Sequence, residues 1–177
     1  YCVSEQMVRC AHNPSLHLMN AITDFFVRNL IVVYFFYGLA FFVMGLALLF
    51  SSRRGSQLRF ALAVLPLAAF GLLHAAHEWY EMFQHVAMLA NGGQPPSLLS
   101  ELGRLGLLVG SFVALLVFAM LLLTDRSTPR WRLWGPVGAI LGLWLLATAL
   151  LALRFGLAPP AIIALADNLA RYGIGIP

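Results

Sequence analysis

Residues 30–50 read LIVVYFFYGLAFFVMGLALLF, an unbroken apolar run without a single charged side chain. A helix of about 20 apolar residues crosses the roughly 30 Å hydrocarbon layer of a bilayer, so this run is predicted to be a membrane-spanning helix. The whole chain agrees with that prediction. Of its 177 residues, 61% are hydrophobic and only 10% are charged, which is more apolar material than a soluble domain of this size can bury.

Three further apolar runs of comparable length follow along the chain. Strands of a membrane β-barrel would be about half as long and would alternate with polar residues, and that pattern is missing here. The sequence therefore predicts an all-α integral membrane protein. Its bundle would contain four transmembrane helices, at about 30–50, 60–83, 105–123 and 133–153.

The chain divides into three parts around this bundle. Residues 1–29 are predicted to form an outer, periplasmic arm or a surface helix, and residues 30–158 form the transmembrane bundle. Pro159 and Pro160 end the fourth helix, and residues 159–177 begin a new amphipathic helix in which Asp167 and Arg171, four residues apart, can pair. We expect this helix to begin a fifth span and the native chain to continue beyond it.

The orientation follows from the arginines, since the chain has no lysine and eleven basic residues in all. Six of them lie in two short loops that fall on the same side if every span crosses once: Arg53, Arg54, Arg59, Arg126, Arg130 and Arg132. The positive-inside rule makes that side cytoplasmic and the N-terminus external. The net charge of +4 is then a topological signal, and no basic stripe with interleaved aromatic residues indicates nucleic-acid binding.

The two cysteines, Cys2 and Cys10, both lie in the outer arm. In a periplasmic arm they could form a disulfide that closes a small loop, because disulfides persist in oxidising compartments. Two unpaired thiols explain the sequence equally well.

The second helix carries a concentration of titratable residues in LLHAAHEWYEMFQH, residues 72–85. At about 100° per residue these side chains share one face about 100° wide, near the outer membrane boundary. We call this set the polar stripe: His74, His77, Glu78, Glu81 and His85. Ionisable groups at this depth usually turn toward a partner or a water-filled cavity, so the stripe is predicted to face the bundle.

Three kinds of site fit the polar stripe. Imidazole and carboxylate ligands suit Zn²⁺, Cu or Fe, and haem could use His74 or His77 as one axial ligand. Alternatively the stripe is a structural network, paired internally and with Glu101, Arg104, Arg154 or Arg171. A proton- or ligand-responsive cluster without metal is the third interpretation.

A resemblance to known proteins rests on two stretches, YFFYGLAFFVMGLALLFSSRRGSQLRFALAVLPLAAFGLLHAAHEWYEMF and the later ADNLARYGIGIP. Both resemble the N-terminal membrane region of some bacterial sensor histidine kinases and diguanylate cyclases. That group has an Arg-Arg-Gly-Ser type loop and then a Phe-Gly-x-x-His-x-x-x-Glu-Trp stretch. In this chain the residues that match the Phe-Gly-x-x-His-x-x-x-Glu-Trp motif are Phe70, Gly71, His74, Glu78 and Trp79.

The resemblance implies a multi-pass protein of the bacterial inner membrane. It would act as a sensory input module that passes a signal to cytoplasmic output domains, which are not within these residues. A second hypothesis is an accessory subunit of a larger membrane complex that binds a metal, haem, quinone or pigment through the polar stripe. A third is a purely structural subunit.

Glycine faces on three helices fit close packing within the chain or in a homodimer. The expected partners are lipid and other subunits. No catalytic motif indicates an enzyme.

Overall fold

The computed structural model describes Phe25 and residues 29–54, 58–124 and 130–175, and the described part consists of helices joined by short turns and loops, without a β-strand. The five α-helices are α1 (Leu30–Arg54), α2 (Leu58–Ala90), α3 (Leu98–Leu123), α4 (Arg130–Phe155) and α5 (Pro159–Leu169). A π-helical turn, Ala170–Ile174, continues α5 directly, and we call the two together the C-terminal segment. The predicted all-α fold is confirmed.

Two helix boundaries differ from the predicted ones for local reasons. Helix α3 begins at Leu98, seven residues earlier than predicted, because the Ser97 side chain caps it by accepting a hydrogen bond from the Ser100 backbone N–H. Helix α2 runs on to Ala90 and ends where Gly92 and Gly93 adopt positive φ angles of 66° and 84°. Glycine takes up such angles at no steric cost.

Three described helical stretches are long and apolar enough to cross a membrane: Leu30–Ser52, Leu98–Leu123 and Trp134–Phe155. Most of their side chains are not buried within the chain, as expected of surfaces that contact lipid. Helix α2 is not one of the three, because His74, His77, Glu78 and Glu81 lower the hydropathy of its described part. The predicted span at about 60–83 is therefore not supported by apolar composition alone, and the prediction of four spans is not confirmed.

Helices α1 and α2 pack together through glycine. A Cβ atom placed on Gly45 would lie 2.9 Å from the Leu72 nitrogen, and one on Gly71 would lie 3.0 Å from the Gly45 Cα. Further along the same interface the Trp79 ring covers Gly38, and its indole N–H donates to the Phe35 carbonyl over 3.3 Å. Only small residues permit so close a backbone approach.

The C-terminal segment packs against α3 and α4. Its Ile163 and Ala166 lie against Leu105 of α3, and farther along its Ala170 lies against Leu108 and Phe112. The indole N–H of Trp144, in α4, donates to the carbonyl of Ala166 over 3.0 Å. The segment thus runs alongside α3 in the same direction, which brings Asp167 and Arg171 toward α2.

Several predicted features lie outside the described residues. These are the outer arm apart from Phe25 and Asn29, both cysteines of the candidate disulfide, and most of the two arginine-rich loops.

Candidate polar site

The polar stripe of α2 faces the inside of the bundle. His74, His77 and Glu78 are 7%, 0% and 3% exposed, and Glu81 and His85 are partly buried. The arrangement agrees with the physical expectation that ionisable groups at this depth avoid lipid.

His77 is held in one tautomer by its two hydrogen bonds. Its Nδ1 lies 3.1 Å from the Arg104 carbonyl oxygen, which can only accept, so Nδ1 carries the proton. Its Nε2 lies 3.2 Å from Nη2 of Arg171, which can only donate, so Nε2 accepts. His77 is therefore neutral here, with its Nε2 lone pair directed at Arg171.

His74 sits in an aromatic enclosure and bonds across to α3. The ring centroids of Phe41, Phe70 and Phe112 lie 4.5, 5.3 and 6.0 Å from that of His74. Ser111 donates its hydroxyl proton to the Leu108 carbonyl over 2.7 Å, so it accepts from His74 Nδ1, 3.1 Å away. The second ring nitrogen, Nε2, lies 3.5 Å from Oε1 of Glu78.

Glu81 is the point at which three helical elements meet. Its Oε1 accepts hydrogen bonds of 2.7 Å from Nη1 of Arg104, in α3, and of 2.7 Å from Nη2 of Arg171, in the C-terminal segment. Charge-assisted bonds of this length are the strong ones, particularly where water is scarce. Tyr34, in α1, lines the same cavity as Glu81.

A closed ring of ion pairs results. Arg104 also donates to Oδ1 of Asp167 over 3.2 Å, and Arg171 donates through Nε to Oδ2 of the same residue over 3.0 Å. Two acids and two arginines therefore alternate around a circuit, which we call the ion-pair ring: Glu81, Arg104, Asp167 and Arg171. The predicted pairing of Asp167 with Arg171 is confirmed, and Glu101 adds a further 3.1 Å contact to Arg104.

The charges around the ring do not balance. Four carboxylates, those of Glu78, Glu81, Glu101 and Asp167, surround two guanidinium groups. Because His74 donates through Nδ1 to Ser111, its 3.5 Å contact with Glu78 through Nε2 requires a proton on one of those two side chains. The other three carboxylates then outnumber the two guanidinium groups by one. Buried charge of one sign is costly, so this arrangement favours the arrival of protons or of a cation.

Three polar-stripe residues could hold a metal ion together. His77, Glu78 and Glu81 each offer one ligand atom, and these atoms all lie within 4.8 Å of one another. The other two predicted ligands are not members of this group: His74 binds Ser111 through Nδ1 and contacts only the Glu78 edge of the group through Nε2, and His85 lies farther along α2.

A surface cavity of about 270 Å³ reaches the ion-pair ring from the end of α2. Its lining includes Tyr34, Glu81, His85, Glu101 and Arg104. Water or a small cation can therefore approach Glu81 without crossing the apolar core. His85, the outermost member of the polar stripe, lines the route and is not part of the ring.

The surroundings of the histidines do not favour haem. Both His74 ring nitrogens face polar groups, and the ring is enclosed by aromatic side chains, so a porphyrin does not fit beside it in this arrangement. A larger groove of about 420 Å³ lies between α3, α4 and the C-terminal segment, but Leu116, Ile140, Leu143 and Leu169 make its lining mainly apolar. The indole N–H of Trp144 in that lining is already committed to Ala166, so it is not available to bind a quinone carbonyl.

The sequence prediction of partners identified most of the network. Glu101, Arg104 and Arg171 contact the polar stripe or one another, whereas Arg154 is exposed in the last turn of α4, apart from the described network. Sequence reasoning did not assign roles to Ser111 and Tyr34. A hydroxyl in an apolar helix, seven residues after Arg104 and so on nearly the same face, was the available signal for Ser111.

Comparison with models of known protein families, with curated proteins and with solved structures finds no match to this chain.

Proposed function

We propose that this chain is a membrane-embedded input module that passes a rearrangement of its helices to cytoplasmic output domains. The observation that carries the proposal is the ion-pair ring. In the described residues no Cα atom of α2 lies within 8 Å of one in the C-terminal segment, yet Arg171 reaches both His77 and Glu81. Side-chain charge thus holds the C-terminal segment to α2, and a change in that charge would move it.

The topology that this proposal requires has five crossings. Helix α2 contains 33 residues and is about 50 Å long, enough to span a hydrocarbon layer of roughly 30 Å even with a polar end. It would be the second span along the chain, beside α1 and α3, with the polar stripe in the outer half of the membrane. The C-terminal segment would begin a fifth crossing toward the cytoplasm, because it runs parallel to α3 from Pro159 onward.

The resemblance to bacterial sensor kinases and diguanylate cyclases supports the same proposal. Four of its five characteristic residues lie at contacts between α2 and a neighbouring helix. Gly71 and Trp79 form the close packing with α1, Phe70 and His74 lie together near Phe112 of α3, and Glu78 is buried beside His74. A stretch built in this way transmits a shift of α2 to both neighbouring helices.

A chimera tests the proposal directly. The full chain is fused at its C-terminus to a kinase domain of known autophosphorylation activity and reconstituted into liposomes. Arg171→Gln, which removes the link from the C-terminal segment to α2, is expected to change autophosphorylation by several-fold or more. Arg154→Gln is the matched control, since Arg154 is an exposed arginine outside the described network. Equal activity in both variants and the unmodified chimera would contradict the input-module proposal.

A second candidate function is an accessory subunit or homodimer, and one observation favours it. Gly135, Gly138 and Gly142 of α4 have no described atom within 4 Å of the position a Cβ would take, so this small-residue face is uncovered. Faces of this kind pair with another helix in membranes. Gly138→Leu would then abolish dimer crosslinking or co-purification of a partner, and retention of both would remove this candidate.

A further inference from the structure

Arg171 occupies the position that a metal ion would take between two residues of the polar stripe. Its Nη2 atom lies 2.7 Å from Oε1 of Glu81 and 3.2 Å from Nε2 of His77, and those two acceptors are 3.8 Å apart. Both acceptors belong to the group of potential ligands, with Glu78 as the third. A side-chain cation therefore already uses two of the three atoms that could bind an ion.

His77 and Glu78 are arranged like the ligands of protein metal sites. A histidine that binds a metal usually donates its other N–H to a carbonyl or carboxylate, which fixes the tautomer and leaves one nitrogen for the ion. His77 does this with the Arg104 carbonyl. Glu78 is 3% exposed, its polar contact is the 3.5 Å approach of His74 Nε2, and the surrounding cluster has negative charge in excess.

The contacts of Arg171 allow its guanidinium group to leave α2 while it stays bound within the C-terminal segment. Arg171 binds Asp167 through Nε while its Nη2 reaches α2, so the first of these contacts stays within the C-terminal segment when the second is lost. Its side chain is 35% exposed, compared with 13% for Arg104. Arg171 also lies in the π-helical turn, a wider and rarer form of helix that often occurs at functional sites.

We infer that His77, Glu78 and Glu81 bind a divalent transition metal of the Zn²⁺ class in competition with the Arg171 guanidinium, so that metal binding releases the C-terminal segment from α2. One nitrogen and two carboxylate oxygens suit Zn²⁺ and leave its fourth position for water. Arg104 stays on Asp167 and Glu101 during the exchange. The metal site itself does not depend on the proposed input-module function. The role of the metal as a stimulus does rest on that function.

Two measurements on the full chain in nanodiscs test the inference. The first is Zn²⁺ affinity by competition with a chelator of known affinity. Arg171→Gln removes the competing cation, so it is expected to tighten Zn²⁺ binding about tenfold or more, whereas Arg154→Gln leaves it unchanged. His77→Gln and Glu81→Gln are expected to abolish binding, and Mg²⁺, which prefers oxygen ligands and keeps its waters, is expected to bind weakly.

The second measurement is the distance between α2 and the C-terminal segment. Spin labels replace Phe83 and Tyr172, which are 64% and 70% exposed, in a chain whose native cysteines are changed to serine. Zn²⁺ is expected to lengthen or broaden the distance distribution, and Arg171→Gln is expected to do so without metal. If Arg171→Gln fails to fold, Co²⁺ absorption of the unmodified chain beside His77→Gln reports the same site.

The outcomes separate the metal from the input module. Zn²⁺ binding that Arg171→Gln does not tighten would overturn the competition, and no binding of Zn²⁺ or Co²⁺ would overturn the site. If the metal fails to bind but Arg171→Gln still moves the C-terminal segment, the metal inference falls while the proposed function stands. If the metal binds and displaces Arg171 but the chimeric kinase does not respond, the proposed function falls and the site stands.

Discussion

At the scale of single residues, the ion-pair ring reduces the free-energy cost of burying charge. An isolated ionised group near the bilayer is expensive, and it is tolerated where partners with good geometry surround it. Glu81 meets this condition through two 2.7 Å bonds to one oxygen, and Asp167 meets it by pairing with both arginines through different oxygens. Loss of one member would therefore leave other buried charges without compensation.

The Glu81→Ala substitution tests this dependence. It removes the shared acceptor of Arg104 and Arg171, and we expect the free energy of unfolding to fall by about 3 kcal/mol, the lower end of the usual range for a broken buried pair. The lower end applies because the Arg171 side chain is 35% exposed, so water can partly solvate its charge when Glu81 is removed. Unfolding in mixed detergent micelles, followed by circular dichroism, measures the change.

Glu101→Ala serves as the control for the same measurement. Among the described residues the Glu101 carboxylate pairs with Arg104, over 3.1 Å, and its side chain is 24% exposed, twice the value for Glu81. Without Glu101, Arg104 still pairs with Glu81 and Asp167, so no buried charge is left without a partner and a loss of about 1 kcal/mol is expected. Equal losses in the two variants would show that the ring has no special weight in stability.

At the scale of helices, α1 and α2 contact each other through closely approaching backbones. In contrast, α2 contacts the C-terminal segment through long side chains. Gly45 and Gly71 bring the first pair of backbones so close that an added methyl group meets backbone atoms at about 3 Å. The second contact is made by Arg171 over a longer backbone separation. Under the proposed function the α1–α2 pair stays together, while the C-terminal segment, which packs on α3 and α4, loses its side-chain contact with α2.

The Gly45→Ala substitution tests the rigid pair. The added Cβ would meet the Leu72 nitrogen at 2.9 Å and the Ala68 carbonyl oxygen at 3.1 Å, and backbone atoms cannot move aside cheaply. We expect a loss of about 1–3 kcal/mol in the free energy of unfolding, as for other overpacked contacts. Steric trapping in bicelles measures it under conditions that keep the membrane environment.

Gly106→Ala is the matched control for Gly45→Ala. Gly106 also lies within a long apolar helix, but no described atom lies within 4 Å of its added Cβ. Alanine is favoured over glycine in a helix by up to about 1 kcal/mol, so this variant is expected to be neutral or slightly more stable. A comparable loss in both variants would mean that the close approach of α1 and α2 does not limit stability.

At the scale of the whole molecule, the proposed function requires that α2 crosses the membrane. If it does, the polar stripe lies near the external face, and the loops after α1 and α3 are cytoplasmic. Fusions of alkaline phosphatase, active only outside, are then expected to be active after Gly93 and Gly156. Fusions of green fluorescent protein are expected to fluoresce after Ser56 and Ser127. Phosphatase activity after both Ser56 and Gly93 would show that α2 stays on one side.

The sequence by itself determined the helical class, the approximate extent of α1 to α4 and the face of α2 that carries titratable groups. These features depend on local patterns, namely apolar length and a period of 3.6 residues, and each is fixed by neighbours along the chain. The same periodicity predicted the pairing of Asp167 with Arg171, because residues four apart meet on any helix.

Only the tertiary structure decided which partners close the ion-pair ring. Arg104, Arg154 and Arg171 are chemically equivalent in the sequence, and two of them meet Glu81 while the third is exposed, because the packing of α5 along α3 brings residues 90 positions apart together. Ser111 and Tyr34 acquire their roles in the same way, from helices whose relative rotation no local pattern specifies. Long-range geometry depends on how whole faces pack, and that is a property of the assembled bundle.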